Sequence, residues 1–82
     1  MNFINKEDYS NQKQIVLEHI KQYGNISTIE GYELYKIMRV GSVINILRKE
    51  GYNIVTIMEY NEKTKTRYAR YFLKGGANNE IL

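Results

Sequence analysis

An 82-residue chain with 43% hydrophobic and 26% charged residues has room for one small domain and the composition of an ordinary water-soluble globule. With no cysteine there is neither a disulfide framework nor a thiolate metal site, and a single histidine cannot by itself make a zinc centre, so stability has to come from packing. The net charge of +3 is unevenly spread: residues 1–35 hold three lysines against five acids, and residues 36–74 hold nine lysines and arginines against three acids.

The second part is therefore the candidate polyanion-binding half, because each neutralised phosphate releases condensed counterions and that gain grows with local positive charge. The bland alternative is a set of solvated lysines that keep a small protein soluble. Abundant Asn, Ile, Lys and Tyr with no Pro or Trp is what AT-rich coding DNA produces, which points to a low-GC bacterium or its phage.

Residues 1–9 show no sustained periodicity and read as a flexible N-terminal arm ahead of one domain over 10–74. The opening residues lack the basic-then-apolar order of a secretory signal, and no apolar run approaches the ~20 residues that cross a bilayer. A cytoplasmic protein without a membrane partner is the expectation. Ser10 can cap a first helix, read over 11–23, in which Ile15, Val16, Leu17, Ile20 and Tyr23 form the apolar face and Gly24 supplies a left-handed stop.

Ser27-Thr28-Ile29-Glu30 fits a capping box, in which the Ser27 hydroxyl and the Glu30 carboxylate each satisfy an open amide at a helix start. A short second helix follows to about Tyr35, with Ile29, Tyr32, Leu34 and Tyr35 as anchors. Gly31 weakens it by about 1 kcal/mol relative to alanine.

After a Lys36-Ile37-Met38 turn, a third helix runs from about Arg39 to Glu50. Val40, Ile44 and Leu47 recur at helical spacing on one buried face, and Arg39, Ser42, Asn45 and Lys49 on another. Val43 and Ile46 fall between the two faces and form an apolar pair suited to self-association. Gly51 ends this helix.

Two segments rich in β-branched and aromatic residues, 53–60 and 66–73, flank the charged turn Asn61-Glu62-Lys63-Thr64-Lys65-Thr66 and read as a hairpin. Ala69, Tyr71 and Leu73 form the inward set of its second strand. Gly75-Gly76-Ala77-Asn78-Asn79 opens a flexible tail over 75–82. A helix followed at once by a basic hairpin is the layout of a winged helix-turn-helix, an α+β fold of three helices followed by a two-stranded β-hairpin wing.

The stretch Ile44-Asn45-Ile46-Leu47-Arg48-Lys49-Glu50-Gly51-Tyr52-Asn53-Ile54-Val55, followed by Arg67-Tyr68-Ala69-Arg70-Tyr71-Phe72-Leu73, resembles a family of small phage and bacterial winged helix-turn-helix proteins. The shared patterns are the "I-x-x-L-R-K-x-G-Y-x-I" end of the recognition helix and an "R-Y-A-R-Y-x-L" second wing strand, and the resemblance covers about residues 11–74. It implies DNA binding, with Arg39, Ser42, Asn45 and Lys49 on the outward positions of the recognition helix and Arg48 near the end that meets backbone. The chain departs from the family at Lys36, where glycine is common in the turn, and at Gly41 and Val43, where a polar or basic residue is common.

On that reading Arg39 suits guanine and Asn45 suits adenine through paired hydrogen bonds, each worth ~1–3 kcal/mol in discrimination. Lys63, Lys65 and Arg67 suit phosphates, which fix register without reading sequence. The opposing reading is a solvated polar helix face and an ordinary exposed hairpin turn. Arg70 is either a DNA-side contact or a residue stretched across the sheet.

Eight tyrosines invite stacking on single-stranded nucleic acid, but Tyr23, Tyr32, Tyr35, Tyr52 and Tyr71 fall at core or turn sites, leaving Tyr60 and Tyr68 as exposed candidates. His19 has no partner base or nucleophile pattern around it. No catalytic constellation is present, and no enzyme activity, cofactor, metal or small-molecule substrate is expected.

The expected function is duplex DNA binding as a small phage or mobile-element transcriptional regulator, with a homodimer on two half-sites or a protein partner. One rival is a protein-binding module that presents Val43, Ile46, Tyr60 and Tyr68, for example as a phage-encoded inhibitor of a host system. Another is an architectural binder in which the wing lysines matter and Asn45 does not.

Overall fold

The computed structural model describes residues 6–75. Helix α1 spans Lys6–Tyr23, β1 Asn25–Ser27, α2 Thr28–Tyr35, α3 Val40–Lys49, β2 Ile54–Asn61 and β3 Thr66–Leu73. The arm expected over 1–9 overlaps α1 at residues 6–9, so the helix starts before the Ser10 cap that was expected. Residues 1–5 and 76–82, with the rest of the arm and nearly all of the tail, lie outside the described residues.

The sheet has three strands in the order β1-β3-β2, one more than the hairpin expected from sequence. The added strand pairs antiparallel with β3 over three residues. Ile26 is fully buried opposite Tyr71, and the Leu73 amide donates to the Gly24 carbonyl at 3.0 Å. Gly24 makes the corner, with φ 88 and its amide closing α1 on the Ile20 carbonyl at 2.8 Å.

Helix α2 starts with both halves of the capping box: the Glu30 amide donates to Ser27 Oγ at 2.9 Å and the Ser27 amide to Glu30 Oε1 at 3.0 Å. It ends on Lys36 in the left-handed region, φ 61, where the family often places glycine. The Lys36 amide donates to Tyr32 O and the Ile37 amide to Gly31 O, so the last carbonyls keep partners, and the ammonium lies 5.2 Å from the Tyr32 ring centroid.

The core gathers around α3. Val40, Val43, Ile44 and Leu47 are all buried, against Val16 and Ile20 of α1, Ile26 of β1 and Ile54 and Tyr71 of the hairpin. Tyr71 lies inward as expected, with Ala69 and Leu73 partly buried beside it. Of the five tyrosines expected at core or turn sites, Tyr23 and Tyr32 are exposed: Tyr23 ends α1 with its ring tilted against His19, and Tyr32 lies against Lys36. His19 itself is buried, and its Nδ1 lies 2.6 Å from the Tyr35 hydroxyl, joining α1 to α2.

Gly31 serves packing rather than flexibility. A Cβ built there would lie 2.3 Å from Val40 Cγ2, so α2 and α3 can approach as they do only with hydrogen at this position. Gly31→Ala gains about 1 kcal/mol of helix propensity and meets an overpacking cost of about 1–3 kcal/mol. The expected net result is a lower urea midpoint at unchanged slope; a higher midpoint would show that the helices part at no cost.

Candidate nucleic-acid interface

Burial of the four apolar positions of α3 leaves the opposite side of the helix to solvent. Arg39, Asn45, Arg48 and Lys49 are exposed and Ser42 is half-buried, and no acid lies within Val40–Lys49. Arg39 is the N-cap residue and Lys49 the last helical one, so their Cα atoms stand roughly 15 Å apart along the axis.

The two departures on α3 belong to the inner side. Val43 is fully buried, and a Cβ on Gly41 would come within 3.1 Å of the Tyr71 hydroxyl. The self-association patch of Val43 with Ile46, and the protein-binding surface built on Val43, are therefore corrected: Val43 completes the packed stripe and is closed to any partner.

Arg48 connects this helix to the wing. Its Nε donates to the Ile54 carbonyl at 3.0 Å, Nη2 to Thr56 Oγ1 at 2.8 Å and Nη1 to Asn45 Oδ1 at 3.4 Å. One planar guanidinium thus fixes β2 against the C-terminal half of α3 and touches one of the outward residues of that helix.

The register shows which side of the ribbon this is. Ile54 pairs with Leu73, Thr56 with Tyr71, Met58 with Ala69 and Tyr60 with Arg67, so these residues share the face that covers the core near its base. Farther out, beyond the core, Met58 and Tyr60 are each 55% exposed, and Arg67 is exposed with them. Arg67 and Tyr60 therefore continue the side on which Arg48 meets Thr56. Thr56 and Met58 were missed in the sequence, because alternation alone does not say which face of a hairpin turns toward a helix.

The wing tip is ordered by local hydrogen bonds to the side chain and backbone of Asn61. Asn61 Oδ1 accepts from the amides of Lys63 at 2.9 Å and Thr64 at 3.3 Å, the Lys65 amide donates to Asn61 O at 2.7 Å, and Lys65 takes φ 60. Lys63 and Lys65 are exposed on this turn.

Arg70 does not belong to the outward site. It lies on the opposite face of the ribbon and donates to Glu59 Oε1 at 3.0 Å, Asn25 Oδ1 at 2.7 Å and the Glu30 carboxylate at 3.3 Å, which ties β3 to β2, to β1 and to the capping box of α2. The Tyr68 hydroxyl and then Arg70 hold the Glu59 carboxyl below its ordinary value of 4.5, against a weaker opposing effect of burial. Burial disfavours the charged guanidinium, but its bonds to Glu59 and Tyr68 and the charge of Glu30 outweigh that, and its pKa is raised.

A carboxylate with a depressed folded-state pKa contributes stability above its unfolded value and loses it as pH falls through the folded one. Stability measured between roughly pH 5 and pH 3 is therefore expected to fall more steeply in the natural chain than in Glu59→Gln. Parallel profiles would show that the Glu59 bridge adds nothing.

Among the described residues no helix is long and apolar enough to cross a membrane, and no group of three His, Cys, Asp or Glu could hold a metal ion. No curated protein and no solved structure matches the chain. A family described as the winged helix-turn-helix domain matches residues 11–75, nearly the whole of the described fold. With its three helices, its short first strand and its hairpin wing in the order found here, the chain belongs to the winged helix-turn-helix domain family.

Proposed function

We propose that this domain binds duplex DNA, with α3 in the major groove and the wing on the adjacent backbone, as a small transcriptional regulator of a phage or mobile element in the bacterial cytoplasm. The observation that carries this reading is the Arg48 bridge, which joins the exposed side of α3 to the Thr56 side of the ribbon. Arg39, Ser42, Asn45 and Lys49 face bases or phosphates, and Lys63, Lys65 and Arg67 take flanking phosphates. Three of the five guanidinium N–H groups of Arg48 hold the frame, which leaves two for a phosphate.

Family membership favours a DNA-binding, non-enzymatic role, and the absence of acids from α3 agrees with it. One module makes few contacts, so specific recognition calls for a second copy on a neighbouring half-site or for a protein partner.

The test is fluorescence anisotropy on random duplex DNA across a salt series. Affinity is expected to fall steeply with salt, and Lys63→Ala/Lys65→Ala to reduce the slope by about two. Absence of binding at low salt refutes the reading. On a selected site Arg39→Ala is expected to cost ~1–3 kcal/mol in discrimination against the wrong base, and an unchanged preference would remove α3 from base reading.

A further inference from the structure

Strand β2 lies at the edge of the sheet, and its outer side has no strand partner among the described residues. The Lys74 amide donates to Asn53 O while the Leu73 amide turns away to Gly24 O, which sets the alternation of the β2–β3 ladder. Val55, Ile57 and Glu59 direct their backbone groups to β3, and Ile54, Thr56, Met58 and Tyr60 direct theirs outward. The Ile54 carbonyl is occupied by Arg48. Thr56, Met58 and Tyr60 are left with three amides and three carbonyls along an open edge.

Soluble proteins ordinarily blunt such an edge with proline, lysine, a bulge, shortness or a covering element. Over Ile54–Asn61 there is no proline, no lysine and no break in eight successive pairs with β3, whereas the other edge, β1, has three residues. Ile57 is 49% exposed on one face of the strand, with Met58 on the other.

We infer that β2 pairs antiparallel with the β2 of a second copy of this chain, making one six-stranded sheet. The open backbone groups are centred on Met58 and are self-complementary. A two-fold axis there sets Met58 against the partner's Met58 and Thr56 against the partner's Tyr60, which satisfies all three amides and all three carbonyls on each copy. In this register Ile57 lies beside the partner's Glu59, so the two carboxylates do not face each other.

A two-fold normal to the sheet keeps the two α3 helices on one side of it, the arrangement that two half-sites require. That last consequence rests on the DNA-binding reading; the pairing of edges does not.

Sedimentation velocity over a concentration series, with amide exchange at Thr56, Met58 and Tyr60, tests the inference. A concentration-dependent dimer that slows exchange at those three amides is expected. Met58→Pro removes an outward amide that β3 does not use, so the fold is retained by circular dichroism while the dimer dissociation constant rises at least about tenfold.

A protein that is monomeric throughout the series overturns the inference, as does a dimer that survives a folded Met58→Pro with those amides unprotected. Duplex DNA binding measured on the same samples is read separately: if it persists in a strict monomer, the edge pairing alone falls.

Discussion

Four side chains of one helix fix the rest of this structure. Val40, Val43, Ile44 and Leu47 are buried together, and each contributes about 1.5–3 kcal/mol of apolar burial. The sum, roughly 6–12 kcal/mol as an upper figure, compares with the entire stability of a small domain, about 5–15 kcal/mol. Helix α3 therefore cannot roll about its axis to offer another face. Asn45 follows Ile44 in sequence but lies about 100° away around the helix, and the burial of one is what exposes the other.

A fixed helix face does not by itself make a surface, because a two-stranded ribbon with most of its length beyond the core is free to swing. The Arg48 guanidinium limits that freedom on one side by gripping the backbone of Ile54 and the side chain of Thr56. Arg70 limits it on the other, through Glu59 on β2 and through Asn25 and Glu30 near the start of α2. The two arginines sit on opposite faces of the ribbon, so its base is held from both sides while its tip is left to the local turn of Asn61. Their structural use also means that a count of positive charge overstates what is available to a polyanion: Arg70 is neutralised within the fold, and Arg48 has most of its donors engaged.

Much of this was legible in the sequence wherever the determinant is local. The capping box needs only residues three apart, the glycine stops need only a positive φ, and the Val40, Ile44 and Leu47 spacing needs only the helical period. What was not legible depends on partners distant in the chain. Strand β1 exists because Ile26 meets Tyr71, Arg70 reaches across 45 positions to Asn25, and Gly41 lies inward because the Tyr71 hydroxyl approaches it. The candidate site divides in the same way: the outward positions of α3 follow from its period, but the ribbon face that joins them follows from the register and from Arg48.

The same division explains why the chain carries two features that look unfavourable locally. Gly31 weakens a short helix, and Lys36 holds a left-handed conformation that costs roughly 1–2 kcal/mol for a residue with a Cβ. Both lie at the junction of α2 and α3, where the closeness of the two helices decides how far Val40 can enter the core. A hydrogen at position 31 lets Val40 in, and the turn at Lys36 returns the chain within the few residues before α3 begins. Local strain is accepted at this corner because the close approach of α2 and α3 is what lets Val40 reach the core.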